Sequence, residues 1–233
     1  MTTIASNMQA TRAAIAAAAS AAGRRAEDVI LLAVSKTFPA EAVREAYQAG
    51  QRLFAENYLQ EGVDKIAELQ ELAIEWHFIG PIQSNKTRPI AEHFAWVHSV
   101  DRLKIAERLS AQRPTDLPPL QICLQVNVSN EPSKSGVAPE QTAALAQDIA
   151  ALPNLRLRGL MTVPAPSDDI PAQRAAFAQL RELFEQLNRD GLRLDTLSMG
   201  MSHDFPAAIA EGATLVRIGS AIFGNRTYPK ETT

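Results

Sequence analysis

Lys36 closes the run Val29-Ile30-Leu31-Leu32-Ala33-Val34-Ser35-Lys36, an apolar stretch that ends on a single amine. A Val/Ile/Leu run of this length suits a strand buried on both faces of a parallel sheet. Turn-compatible Thr37, Phe38 and Pro39 follow, and a helical pattern starts after Pro39. The lysine therefore stands at the carboxyl end of a strand, the end at which α/β proteins bind ligands. Apolar surroundings favour the neutral amine, the form that attacks carbonyls. Taken alone, the stretch fits better a strand-end lysine that snorkels into solvent; the rest of the chain changes that balance.

Two further sets of residues could meet that amine. Ser198-Met199-Gly200-Met201-Ser202 and Gly219-Ser220 each place glycine beside hydroxyls, which lets backbone N–H groups approach an anion. A short helix near Phe205 would present its N-terminus to the same anion. Arg217 interrupts the apolar strand Leu215-Val216-Arg217-Ile218. A guanidinium turned into a protein interior needs an acceptor, either a carboxylate or a ring nitrogen of a ligand.

The elements that would position these residues alternate along the chain. After an alanine-rich helix closed by Gly23-Arg24-Arg25, strands are expected at 29–36, 52–57, 76–81, 94–100, 120–128, 155–163, 194–199 and 215–218. Helices are expected between them, with Asp101 capping the one that follows the fourth strand. Eight such repeats predict one (β/α)8 barrel, a TIM barrel, filling residues 1–233 as a single domain. The rival, an open doubly wound sheet, lacks a G-x-G-x-x-G opening a helix. In a barrel, the loops after strands seven and eight are the usual phosphate site, and they are the two glycine–serine loops.

Composition narrows the classes. With 23 basic and 26 acidic residues and a formal charge of −3, the chain has no like-charge block, so neither nucleic acid nor an anionic membrane is an expected partner. The single cysteine, Cys123, is expected to be a small buried hydrophobe and fits a reducing compartment. The alanine-rich first helix reads as a surface helix and not an export signal, so a soluble, cytoplasmic protein is expected. The histidines show no metal-ligand spacing, and no metal is expected. His98, ending an apolar strand, is expected to be a core histidine. Glu56 and Asp204 read either as a general acid/base pair or as surface and capping residues.

An amine, a phosphate cradle and an arginine together suit pyridoxal 5′-phosphate. The motifs Ala33-Val34-Ser35-Lys36, Glu56-Asn57-Tyr58, Trp76-His77-Phe78-Ile79-Gly80-Pro81-Ile82-Gln83-Ser84-Asn85-Lys86, Gly159-Leu160-Met161, Ser198 to Ser202 and Val216-Arg217-Ile218-Gly219 resemble the pyridoxal phosphate homeostasis protein family. The likeness runs from the first helix to Phe223-Gly224-Asn225-Arg226. It implies a fold-type III barrel, like the alanine racemase N-terminal domain. It further implies that Lys36 carries the cofactor covalently, that Ser198, Ser202, Gly219 and Ser220 (with Met199 and Gly200 between them) hold the phosphate, and that Arg217 faces the pyridine nitrogen. Asn57 would reach the ring substituents, and His77 and Asn85 would stand at the mouth of the site. His203 departs from the small or acidic residue expected in relatives.

The resemblance also implies cofactor storage and delivery without strong turnover, with apo-enzymes as acceptors and the chain acting as a monomer. A donor-only arginine at the ring nitrogen would make the ring a poor electron sink. The alternatives are a weak amino-acid racemase, for which Tyr58 would be the second base, and a cofactor-free hydrolase or aldolase using Lys36. Lys134, in the loop Pro132-Ser133-Lys134-Ser135-Gly136, is the competing amine and a candidate for a second, non-covalent cofactor site.

Overall fold

The computed structural model describes residues 3–129 and 135–224. Eight parallel strands, β1 (Ile30–Val34), β2 (Leu53–Glu56), β3 (Glu75–Phe78), β4 (Trp96–Val100), β5 (Leu120–Gln125), β6 (Leu155–Met161), β7 (Thr196–Ser198) and β8 (Leu215–Ile218), pair in sequence order. β8 returns to pair with β1, with Leu32 opposite Arg217, so the sheet is the expected closed barrel. The strands are mostly shorter than their apolar runs, because the runs continue into the loops at the carboxyl mouth.

Outside the barrel lie α1 (Ile4–Ala21), α2 (Ala40–Gln48), α3 (Leu59–Glu68), α4 (Thr87–His93), α5 (Leu103–Gln112), α6 (Thr142–Ala150), α7 (Ile170–Arg189), α8 (Phe205–Ala210) and α9 (Ser220–Phe223). α9, a single turn, was not expected from the sequence pattern, and it is too short to cover β8 and β1. α1 takes that place, packing against α2, α8 and α9. Its buried residues Met8, Thr11, Ile15 and Ala19 recur at three- and four-residue spacing, which puts them on one stripe. Thr3 caps its start by accepting from the Ser6 N–H. It ends as Gly23 enters the left-handed region (φ 68°), with Gly23 N–H bonded to Ser20 O and Arg24 N–H to Ala19 O. Asp101 does not cap α5: the residue before that helix is Arg102, and the Asp101 carboxylate pairs with its guanidinium at 2.6 Å.

Strand residues alternate between two environments. Phe54, Trp76, Val97, Ile122, Leu160, Leu197 and Val216 face the helices and form the main core. Inside the barrel, Leu32, Val34, Ala55 and Leu215 make one apolar cluster, and Trp96, Cys123 and Met161 make a second. Cys123 is fully buried, as expected, and burial pushes its thiol pKa up to about 12, so it stays protonated.

Gly159 lies where β6 and β7 leave no room for a side chain. A Cβ there would stand 1.7 Å from the Thr196 carbonyl oxygen, across the β6–β7 pair. Gly159→Ala should therefore force the two strands apart and cost more than about 4 kcal/mol, the range of severe core damage. Urea unfolding, or loss of soluble protein, reads this directly. A loss below about 1 kcal/mol would mean the strands shift freely at this point.

Candidate functional site

At the carboxyl mouth, a pocket of about 200 Å³ is lined by Val34, Lys36, Ile79, Met201, Ser202, His203, Arg217, Gly219 and Ser220. Five of the residues expected to hold the cofactor meet there, Lys36, Ser202, Arg217, Gly219 and Ser220, together with His203. The two glycine–serine loops touch, with Ser220 Oγ 3.2 Å from Ser202 Oγ. Gly200 makes this meeting possible. Its φ of 95° is left-handed, and a Cβ would lie 2.7 Å from Ala208 Cβ on α8. The turn then folds back on itself, as the Asp204 carboxylate accepts the Met201 N–H at 2.6 Å.

Arg217 forms the floor. It is 4 % exposed, and three of its five N–H groups are spent inside the barrel. Nη1 donates to the Ser198 carbonyl (2.7 Å) and to Ser198 Oγ (2.8 Å), and Nη2 donates to the Thr162 carbonyl (2.8 Å). Burial holds its pKa down to about 10, opposed by the Asp204 carboxylate, so it remains a cation at neutral pH. Nε–H and one Nη2 hydrogen remain for an acceptor in the pocket. Of the two acceptors the sequence allowed, a carboxylate partner is not the answer; carbonyl oxygens and a hydroxyl hold the guanidinium instead.

Lys36 is carried by a tightly fastened turn. Thr37, a β-branched residue, has φ 69°, a strained backbone conformation costing on the order of 1–3 kcal/mol. Its N–H donates to Glu61 Oε1 at 2.5 Å. Lys65 of α3 donates to the Ser35 carbonyl (2.8 Å), to Glu56 Oε1 (2.8 Å) and to Glu61 Oε1 (2.6 Å), while Ser35 Oγ donates to Glu56 Oε1 (2.6 Å). The residues on either side of Lys36 are thus tied to one buried cluster between β2 and α3. Glu56 is fully buried, and its Oε2 has no partner. Desolvation raises its pKa although Lys65 opposes the shift. Glu56 and Asp204 are therefore not an acid/base pair: one braces the Lys36 turn beneath α3, the other the loop before α8.

Other expected site residues lie elsewhere. Ser198 stands beneath the pocket, not in its lining, because its side chain points into the barrel and its hydroxyl bonds Arg217 and His98. Met199, one residue on, faces the other way into the main core. His77 is not at the mouth. It sits one layer lower, fully buried, stacked on Trp96 at 5.3 Å, and Ile79, two residues on, reaches the pocket in its place. Asn85 lies exposed on the turn Ser84–Lys86, outside the lining. Asn57 is half-buried and outside the lining; its carbonyl presses on Gly80, where a Cβ would lie only 2.0 Å away. Tyr58 is 51 % exposed and outside the lining. Lys134, Asn225 and Arg226 fall outside the described residues. Met201 lines the pocket, one of the two places (core or pocket) that its type suggests, whereas Val34 and Ile79 were not anticipated as lining; only their place in the closed barrel reveals it. His98 is the core histidine expected, with both ring nitrogens bonded.

A lysine at the end of β1 facing a two-loop hydroxyl cradle, with a buried arginine on β8 between them, defines the alanine-racemase type of barrel: residues 7–227 match the family described as alanine racemase, N-terminal domain. Against alanine racemase from Corynebacterium glutamicum, the TM-score is 0.72 at 17 % identity, over 96 % of this chain and 61 % of that one, a likeness of fold. Two other likenesses are far closer. A pyridoxal phosphate homeostasis protein of Pseudomonas aeruginosa is 67 % identical over 228 residues, covering 98 % of both chains. PipY of Synechococcus elongatus, in a structure with PLP bound, gives a TM-score of 0.80 at 43 % identity, over 90 % of this chain and 100 % of that one. The chain belongs to the pyridoxal phosphate homeostasis protein family.

The buried cluster under Lys36 has a measurable cost. Lys65→Met would leave the Glu56 carboxylate buried without its cation, a loss of about 3–5 kcal/mol at pH 7.5. Because burial raises the folded-state pKa of Glu56, this penalty is absent below its unfolded-state pKa and grows as pH rises through the folded-state value. Urea unfolding of the variant should therefore show a smaller deficit at pH 5 than at pH 7.5. A deficit independent of pH would mean that Glu56 is not the group left uncompensated.

Proposed function

We propose that this chain binds pyridoxal 5′-phosphate and serves its intracellular storage and delivery, without strong catalytic turnover of its own. The observation that carries this reading is the convergence of Lys36, Arg217 and the Ser202–Ser220 pair on one pocket. The donor set fits the cofactor: an amine for the aldehyde, two hydroxyls with the Gly219 backbone for the phosphate, and spare guanidinium N–H groups for the ring nitrogen. Likeness to PipY, seen with PLP bound, supports the same assignment. The cofactor supplies an aldehyde that amines capture and a ring that accepts electrons.

The residues of the chain limit that chemistry. Arg217 can only donate, so it would leave the ring nitrogen unprotonated and the ring a weak electron sink. Among the described residues lining the pocket, Lys36 and His203 are the only side chains besides Arg217 that titrate, and His203 is exposed at the rim. Tyr58, the tyrosine considered as a second base, is half-exposed and does not line the pocket. A carrier needs an accessible site, and this pocket is open at the mouth of the barrel. Acceptors would be apo-forms of pyridoxal phosphate enzymes, and the chain would act as a cytoplasmic monomer. No helix among the described residues is long and apolar enough to cross a membrane.

Borohydride reduction of the loaded protein, followed by mass mapping of peptides, tests the reading. The label should fall on Lys36, and Lys36→Ala should lose both label and visible absorbance while keeping its circular dichroism. Labelling of Lys134 instead would sink the assignment. Turnover is tested separately by NMR of deuterium exchange at Cα of bound amino acids. The wild type should exchange slowly, and Arg217→Glu, compared at saturating cofactor, should exchange faster. Equal rates would show that Arg217 does not restrain the chemistry.

A further inference from the structure

Below the pocket, the barrel interior holds polar side chains that the cofactor would not touch. Glu75 and His77 on β3, His98 on β4, Ser198 on β7 and Arg217 on β8 form an unbroken series of hydrogen bonds. Glu75 Oε1 lies 3.1 Å from His77 Nε2, His77 Nδ1 lies 2.9 Å from His98 Nε2, and His98 Nδ1 lies 2.8 Å from Ser198 Oγ, which Arg217 Nη1 reaches at 2.8 Å. The lower end opens on a hollow of about 640 Å³ at the N-terminal mouth, lined in part by Glu75, Trp96, Gln121 and Arg158. The upper end is the floor of the candidate cofactor pocket.

One group sets the direction of every bond up to Ser198, where the donor-only guanidinium of Arg217 fixes the last. An ionised carboxylate only accepts, so His77 must carry its proton on Nε2. With that ring neutral, Nδ1 is an acceptor, and His98 must donate from Nε2. The neutral His98 then accepts at Nδ1, so the Ser198 hydroxyl donates to it and offers its lone pairs to Arg217. Both rings are fully buried and desolvation lowers both pKa values, which keeps them neutral. The bond from His77 holds Glu75 below the usual carboxylate range.

The surrounding charges agree. Arg158 faces Glu75 from β6, Arg217 faces His98 from β8, Asp204 faces Arg217 from the loop after β7, and Cys123 on β5 is a neutral thiol. Take Glu75 away and the series can run in reverse, with His98 donating to Ser198. The hydroxyl proton of Ser198 then loses its acceptor beside the guanidinium.

We propose that Glu75, His77, His98 and Ser198 are positioning residues for Arg217: the carboxylate at the N-terminal mouth orders the hydrogen bonds through the barrel and so fixes how the guanidinium is presented at the other mouth. The effect on cofactor binding rests on the function proposed above; the ordering itself does not. Packing alone does not call for such a chain, since the neighbouring Leu32–Val34–Ala55–Leu215 cluster fills the same interior with aliphatic groups.

The test reads the ordering directly in ¹⁵N-labelled protein without cofactor. In the wild type, both His77 and His98 should be neutral Nε2–H tautomers, and Arg217 should show resolved guanidinium protons. Glu75→Leu removes the terminal acceptor at a half-exposed position. It should change both tautomers and shift or broaden the Arg217 signals, although Glu75 touches neither His98 nor Arg217. Glu75→Gln keeps an acceptor oxygen and should restore the wild-type pattern. An Nδ1–H tautomer in the wild type, a change confined to His77, or Gln behaving as Leu does would each overturn the proposal. In a second arm, the Kd for pyridoxal phosphate should rise about tenfold in Glu75→Leu, as expected for one weakened charge-assisted bond, and not in Glu75→Gln. An unchanged Kd in Glu75→Leu, with borohydride labelling of Lys36 intact, overturns the link to binding. Absent labelling in the wild type overturns the function proposed above and leaves the ordering to be decided by the NMR arm.

Discussion

A guanidinium with 4 % exposure is the constraint around which the interior of this barrel is arranged. A buried charge is tolerated only when its donors are met, and here they are met by carbonyl oxygens and one hydroxyl, with no anion in contact. Thr162 and Ser198 must therefore turn carbonyls toward the axis at the ends of β6 and β7. The hydroxyl of Ser198 needs an acceptor in turn, and the histidine pair follows from that need. With no anion bonded to it, the charge of Arg217 stays available to whatever enters the pocket.

The opposite wall is held on a different principle. The Lys36 turn stands in a strained conformation at Thr37 and is fastened from outside the barrel by Lys65, Glu56 and Glu61. The amine thus reaches the pocket from a turn whose neighbours are all bonded to α3. The two walls share no side-chain partner among these contacts. One is braced through the axis of the barrel and the other through the helical layer.

The barrel was legible in the sequence because each strand is an apolar run stopped by turn residues, and period alone separates it from the helices. Lys36, Ser202, Arg217, Gly219 and Ser220 were legible because each sits where a strand or glycine turn delivers it to the carboxyl mouth. What was not legible is depth. His77 and Ser198 are strand residues near that mouth, and sequence spacing cannot tell the layer at the rim from the layer beneath it. A shift of two positions, as from His77 to Ile79, moves a side chain from the interior to the pocket. The role of α1 was hidden for a related reason: nothing in its alanine-rich stripe says which gap in the ring it fills.

That helix gives the molecule a particular order of assembly. Asn7 donates to the Ile222 carbonyl on α9, the turn that carries Ser220, so two segments more than two hundred residues apart meet at the edge of the pocket. During synthesis from the N-terminus, the first helix emerges long before its partner exists. The ring closes only when β8 and α9 arrive, and loop-closure entropy makes such a distant contact a late event. The pocket cannot be complete before β8 and α9 are made, because Arg217, Gly219 and Ser220 all come from that last stretch of chain.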